Sequence, residues 1–585
     1  MKQVWPGVYR HTDSAHVYVV GGPEGSVLVN IGDGSVLDAL PEGLPPVMAV
    51  LLTHHHRDTA AGAARAVQLG IPVYAPEGER ASLEHPEPYL RQADQPNNYE
   101  ARPRTWTVPA AVNTRPLREY HTHRFGALAF TVRPTPGPTP AAVSLLLDLP
   151  GARLAFTGDL LYAPGQVSRL AATQWTYHGA EGVPGTVLSL LDLADQHPDL
   201  VLPAHGEPMP SSALGDTAKA LMGLLHLRRH NTRLLELREK PYVELRPWLL
   251  WNRTSVAHSY VLRSRSGHAL LIDYGYDFCF GQPSATDAES RRPWLYTLPT
   301  LMARHGVRQI DAVIPTHFHD DHVAGIPLLR EAYGAEVWVP ENVSDVLAHP
   351  ERYRLPCLWF EPVPADRRLP LGQPLHWEEF VITPHELTGH TRYACALLVE
   401  ADGERALFGG DQYADGDGLG MPYTYPNLFR EGDYVRSAEL YRQLQPDLIL
   451  GGHTGPVEPT AEHFDRLLAR GQELQRLHQA LQPHTTRLII HAEPITVECG
   501  QPVTLTIENP TDSEFSGEVR VSGEAGPAGR HPVQVPTHAV RTLTFQPCGP
   551  AGSRIHFELR GPPGEPGQHT HATIRPNKTG DTHDR

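Results

Sequence analysis

Six consecutive residues constrain this chain more than any others: His317-Phe318-His319-Asp320-Asp321-His322. The preceding run, Ile310-Asp311-Ala312-Val313-Ile314-Pro315, is apolar and β-branched, ends at a proline, and reads as a strand. The following run, Val323 to Leu329, reads as the start of a helix. The cluster therefore sits on a strand-to-helix loop, where side chains can converge. Imidazole nitrogen and carboxylate oxygen are the donors that a Zn²⁺-class ion prefers. One histidine in such a place would read as a solvated loop residue. The spacing H-x-H-x-D-H reads as a metal site.

A metal site needs further ligands, and three elements downstream offer them. His390 lies in Thr388-Gly389-His390-Thr391, Asp411 ends Ala406-Leu407-Phe408-Gly409-Gly410-Asp411, and His453 ends Leu448-Ile449-Leu450-Gly451-Gly452-His453. Each stands at or near a strand end beside glycine, which permits a tight turn and a close backbone approach. In this order the elements resemble the metallo-β-lactamase fold superfamily over roughly residues 246–484. The resemblance implies an αββα sandwich with a dinuclear metal site at one edge. It implies His317, His319 and His390 on the first metal and Asp321, His322 and His453 on the second. Asp411 would bridge the two, and Asp321 and Asp411 would serve catalysis. Asp273, at the end of Leu270-Leu271-Ile272-Asp273, matches a residue of the family that supports the site without ligating.

The same pattern recurs upstream. Val50-Leu51-Leu52-Thr53-His54-His55-His56-Arg57-Asp58-Thr59 repeats the strand and cluster, Thr157-Gly158-Asp159 the FGGD element, and Pro203-Ala204-His205-Gly206 the GGH element. Asp159 follows Pro138 by 21 residues, as Asp411 follows His390. Thr59 stands in place of the last histidine of the cluster, Pro138 in place of His390, and Asn30 in place of Asp273. Each metal would lose one imidazole. His54, His56, Asp58, Asp159 and His205 remain as a possible residual site, with His55, His121 or His123 as possible helpers. The expectation is a degenerate partner domain without hydrolytic activity. The competing reading is a remodelled mononuclear site with a reaction of its own.

A chain of 585 residues is too long for one core. The organisation expected is a degenerate domain over 1–210, a helical connector over 211–245, a complete domain over 246–484, a β-sandwich over 485–575 and a flexible tail over 576–585. The fold class is α/β: two αββα sandwiches in tandem, packed on each other, then an all-β immunoglobulin-like sandwich. The last is read from short strands separated by Gly/Pro/Asn turns. It has no catalytic constellation and is expected to serve packing or docking. From Gly561 on, the chain is Pro/Gly-rich and expected to be mobile, with His569 and His571 solvated.

The net charge of −16 excludes nucleic acid as a partner, because phosphate binding needs a basic surface. No signal-peptide core and no apolar run of about 18 residues is present, so a cytoplasmic protein with no membrane partner is expected. Arginine in place of lysine fits a GC-rich, bacterial source. The five cysteines, Cys279, Cys357, Cys395, Cys499 and Cys548, contain no CxxC and are expected to be free thiols, although Cys499 and Cys548 can pair if strands bring them together.

The chemistry implied is hydrolysis of an ester, thioester, lactone or related bond in a small molecule, by water activated between two Zn²⁺ ions per complete domain. A mononuclear Fe²⁺ dioxygenase of the same fold and a non-catalytic metal-binding scaffold are the alternatives. Asp320 lies among the ligands without an assigned bond to metal. Tyr274, Tyr276, Tyr393 and Tyr413 lie near the metal-bearing strands, as substrate contacts or as packing.

Overall fold

The computed structural model describes residues 1–92, 106–170, 182–229, 234–277, 293–414, 418–420, 427, 430–526 and 528–575. Contacts divide the chain into two units. The first comprises Met1–Pro241 with Tyr276–Ala303, the second Tyr242–Gly275 with Arg304–Arg585.

The first unit has a seven-stranded sheet whose strands run in chain order from Lys2–Trp5 to Arg115–Leu117. A six-stranded sheet runs, again in order, from Thr122–Phe125 to Met209–Pro210. The strand Leu128–Pro134 alternates buried and half-buried positions, as a strand with one covered face must. The two sheets bury a shared core that includes Tyr18, Val29, Phe130 and Phe156. The outer faces are covered by helices. Ala63, Ala66 and Leu83 pack on the first sheet, and the helices Gly182–Ala194 and Ser212–Arg229 pack on the second. This is an αββα order of layers.

The second unit repeats the plan with a seven-stranded sheet from Tyr242–Arg246 to Arg367–Leu369 and a five-stranded sheet from Leu375–Trp377 to Leu448–Gly451. In both units the first sheet begins antiparallel. It turns parallel at the strand that ends in Asn30 or Asp273. The register also slips at matching places, before Gly158 in one unit and before Gly410 in the other. The two units are thus copies in topology and in local irregularity.

Two expected boundaries differ. Residues 211–245 are not a separate connector: Ala213, Leu214, Ala218, Leu221 and Leu225 lie in the core of the first unit, and Tyr242–Arg246 is the edge strand of the second. Nor do residues 246–484 form one body. Trp294 and Tyr296 are buried in the first unit's helix layer, beside Leu214 and Leu221, so Tyr276–Ala303 is counted there. An exchange of this kind leaves no mark in hydrophobic periodicity.

The C-terminal region forms a three-stranded sheet (Ile489–Glu493, Val503–Asn509, Ala539–Phe545) and a five-stranded sheet containing Phe515–Gly523 and Arg554–Arg560. Leu505, Ile507, Val519 and Phe557 share their core. Cys499 and Cys548 form a disulfide with Cα atoms 4.2 Å apart, which corrects the expectation of free thiols. Gly500 donates its N–H to Pro547 O at 2.8 Å, so two loops distant in sequence run side by side and bring the sulfurs together. Among the described residues Cys357 and Cys395 are in no disulfide, and Cys279 lies outside them. The expectation of mobility from Gly561 on is also corrected, because His569 and His571 stand on the strand Gln568–Ile574, paired with Arg554–Arg560. The tail 576–585 lies outside the described residues. No described helix is long and apolar enough to cross a membrane.

Candidate metal centre

In the second unit the strands end where the histidines begin. Gln309–Ile314 delivers His317, His319, Asp321 and His322, Glu404–Gly410 delivers Asp411, and Leu448–Gly451 delivers His453. His390 arrives on the loop before Cys395–Ala401. Two groups of donor atoms result. His317, His319, His390 and Asp411 form one, and Asp321, His322, His453 and Asp411 form the other. In each group every donor atom lies within 4.8 Å of the rest. Asp411 belongs to both: its carboxylate is 3.2 Å from His322 Nε2 and from His453 Nε2, 3.4 Å from His390 Nε2 and 3.7 Å from His317 Nε2.

Outer hydrogen bonds decide which nitrogen of each ring faces the centre. Asp273 accepts from Thr316 N at 2.6 Å, from Thr316 Oγ1 at 2.8 Å and from His322 Nδ1 at 2.8 Å. With its proton given to Asp273, Thr316 Oγ1 accepts from His317 Nδ1 at 3.1 Å. His453 Nδ1 donates to Val256 O at 3.2 Å, and His390 Nδ1 to Gly420 O. The Nε2 atoms of His317, His322, His390 and His453 are thereby left as acceptors aimed at the centre. His319 is reversed, with Nδ1 3.1 Å from His390 Nε2. Gly410 has φ +51°, and a Cβ there would lie 2.9 Å from Thr316 Oγ1, so the turn into Asp411 requires glycine.

The electrostatics are those of a site built for cations. Burial alone would raise Asp411, but the His322 charge and bonds from His322 and His453 hold it well below the usual carboxylate range. Burial pushes His317 well down and His319 to about 3, with neighbouring imidazoles adding to both. Burial also opposes the charge on His322 and His453. Asp411 and Asp273 nevertheless raise His322 well above its ordinary value, and bonds to Asp321 and Asp411 push His453 up to about 10.

The residues fit a pair of metal ions. His317 Nε2, His322 Nε2 and Asp411 Oδ1 are buried, and apart from the 3.2 Å contact of His322 with Asp411 they meet no hydrogen-bond partner. Buried polar atoms of native proteins are almost always satisfied, so such a concentration marks a place for an ion. One half offers three imidazoles and a carboxylate, the other two of each, a set suited to zinc. A third group, His268, Asp311 and Glu378, stands at the opposite strand ends. There His268 Nδ1 is already bonded to Asp311 at 2.8 Å.

Other expected residues fall elsewhere. Asp320 is buried at the start of the helix Asp320–Val323. Tyr274 lies against Gly325, Tyr413 packs with Tyr434 and Tyr441, and Tyr276 is counted with the first unit. Tyr393 donates to Glu493 of the C-terminal region at 3.0 Å.

The sequence reading missed several residues that hold His390. Gln412 Oε1 accepts from His390 N at 3.1 Å, and Asn427 Nδ2 donates to His390 O at 2.8 Å. Glu508 pairs with Arg392 at 2.8 Å and with Arg430. Adjacency to Asp411 was a signal for Gln412. Nothing local marked Glu508 or Glu493.

In the first unit His54, His56 and Asp159 come together, as do Asp58, Asp159 and His205. The suggested helpers do not join them. His55 is bound to the buried Glu79, His121 Nδ1 donates to Glu119 O at 2.8 Å, and His123 Nε2 accepts from Arg118 N at 3.0 Å.

The sequence profile of the metallo-beta-lactamase superfamily matches residues 12–205 and 253–453, more than half of the chain. The chain belongs to this superfamily. Both copies are members, including the one that lacks two of the expected ligands. Similar solved structures include a metallo-beta-lactamase with a HARLDQ motif from Cronobacter sakazakii (21% identity, covering 43% of this chain and 100% of that one, TM-score 0.32). Another is a metallo-beta-lactamase family protein from Thermus thermophilus (22%, 42% and 86%, 0.31). A third is a class B3 di-zinc metallo-beta-lactamase from an Alaskan soil metagenome (17%, 41% and 96%, 0.31). No curated protein matches the chain.

Proposed function

We propose that the second unit is a metal-dependent hydrolase, with two zinc ions as cofactors and a small molecule carrying an ester, thioester, lactone or related bond as substrate. The observation that carries this reading is the pair of donor groups meeting at Asp411, with buried ligand atoms that no hydrogen bond satisfies. Two zinc ions bound there would acidify a water to near neutrality and polarise the electrophilic bond.

The chain's own residues do the rest. Asp273 and Thr316 keep protons on the outward nitrogens of His322 and His317, so that the inward ones stay free. Asp411, held ionised by its neighbours, joins the two halves. Asp321 points Oδ2 toward His453 Nε2 at 3.2 Å and is the carboxylate placed to orient the attacking water and take its proton. The His453 side chain is 44% exposed while those of His317 and His322 are buried, which supports a mouth for substrate on the His453 side.

Elemental analysis and turnover of generic ester and thioester substrates test this on one set of proteins. The His317→Ala change is expected to abolish turnover, and paired with His319→Ala to remove about two zinc ions per chain. His54→Ala is expected to leave most of the activity. Equal loss of activity from His317→Ala and His54→Ala would overturn the assignment. Iron in place of zinc would move the chemistry to oxidation.

A further inference from the structure

The first copy has lost two imidazoles, yet its remaining donors are not collapsed. His54 Nε2 and Asp159 Oδ1 are buried and without a hydrogen-bond partner, the same condition as His317 Nε2 and Asp411 Oδ1 in the second copy. The supports behind them are kept too. Asn30 Oδ1 accepts from Thr53 N and Thr53 Oγ1, each at 3.0 Å, and Thr53 Oγ1 accepts from His54 Nδ1 at 3.0 Å. His54 therefore turns Nε2 inward, as His317 does. Gly158, φ +54°, leaves room for Thr53 Oγ1 where a Cβ would come within 2.6 Å, so the turn into Asp159 is preserved.

The two losses fall differently on the two halves. Thr59 does not stand in for an imidazole, because its hydroxyl donates to His56 O at 2.9 Å. What remains beside it, His205 and Asp58, is already paired at 3.1 Å, with Arg169 3.9 Å from the same carboxylate. On the other half the loop bearing Pro138 is fastened down. The buried Glu79 accepts from Thr139 Oγ1 at 2.7 Å and from Ala141 N at 3.1 Å, and also binds His55. Trp106 lies against His56, ring centres 5.1 Å apart. His54, His56 and Asp159 are left with donor atoms mutually within 4.8 Å, and Asp159 meets the Asp58–His205 pair only through His205 Nε2 at 3.8 Å.

We propose that the first copy is a one-ion site, in which His54, His56 and Asp159 hold a single divalent transition-metal ion while the Asp58–His205 pair closes the position of the second. Two imidazoles and one carboxylate are a sufficient protein ligand set for such an ion and leave coordination positions open. This site is independent of the hydrolytic reading of the second copy.

The test uses the full chain with the second site removed by His317→Ala/His319→Ala/Asp411→Ala, stripped with chelator and reloaded with Zn²⁺. About one ion per chain is expected to remain. Adding His54→Ala is expected to abolish it, and adding Asp58→Ala to leave it in place. No zinc in a folded triple variant would overturn the proposal, as would loss on Asp58→Ala with retention on His54→Ala. Because His54→Ala removes a buried ring and can unfold the domain, Co²⁺ loading of the triple variant gives a second readout. Ligand-field absorption bands at one equivalent are expected, and their absence would overturn the proposal by itself.

Discussion

Asp273 serves three donors with one carboxylate, and the first copy shows why its charge matters. There the equivalent Asn30 receives only Thr53, through N and Oγ1, because the position of His322 is held by Thr59. With no imidazole to orient, an amide oxygen suffices. In the second copy Asp273→Asn would keep the Thr316 bonds but lose the charge that holds the His322 proton on Nδ1. The expected result is a fall in zinc affinity of about 10–100-fold, read by titration against a competing chelator, with the fold unchanged by circular dichroism. Unchanged affinity would mean that His322 is oriented by something else. The ligand positions were legible in the sequence because the family's motifs are local: each sits at a strand end within a few residues of glycine. Asn427 and Glu79 were not, because each acts on a loop far from it in the chain.

At the scale of elements, the loop that carries His390 is held from the C-terminal region. Arg392 and Arg430 converge on Glu508, and Tyr393 on Glu493. Burial would raise Glu508, but the two guanidinium groups hold it below the ordinary carboxylate value. A carboxylate whose value is lowered by folding stabilises the fold fully above its unfolded value of about 4.3 and loses that contribution as pH falls through the lower, folded one. Glu508→Gln is therefore expected to cost about 2 kcal/mol at neutral pH and to weaken zinc binding through His390. Urea unfolding of both proteins should converge as pH is lowered through the folded value of Glu508, below the ordinary carboxylate range. A gap that persists at that pH would place the effect outside this ion pair. The strands of this region were readable from their alternation and turns. Its hold on the loop of His390 was not, since a glutamate on a strand of the sandwich gives no sign of what lies across from it.

At the scale of the whole molecule, duplication was legible as a repeated order of motifs, and the structure repeats it in strand order and in register slips. The division of the chain was only partly legible. Trp294 and Tyr296 are aromatic residues in a segment that reads as part of the second copy, and only the contacts place them in the first unit's core. Cutting the chain after Pro241 would strip that core of both side chains. The fragment 1–241 is expected to unfold at lower temperature than the same unit in the full chain, or to aggregate. Thermal circular dichroism of the fragment, compared with the full chain cleaved after Ala303, measures it. Equal melting of the two would show that the exchanged segment adds nothing.

That exchange also sets a timetable for biosynthesis. The helix layer of the first unit lacks two of its buried aromatic side chains until residue 296 has been made, by which point the strands Tyr242–Ile272 have already been translated. A nascent chain would thus carry the earlier unit with an incomplete core while the later one begins. The order in which the two copies mature need not be the order in which they are encoded.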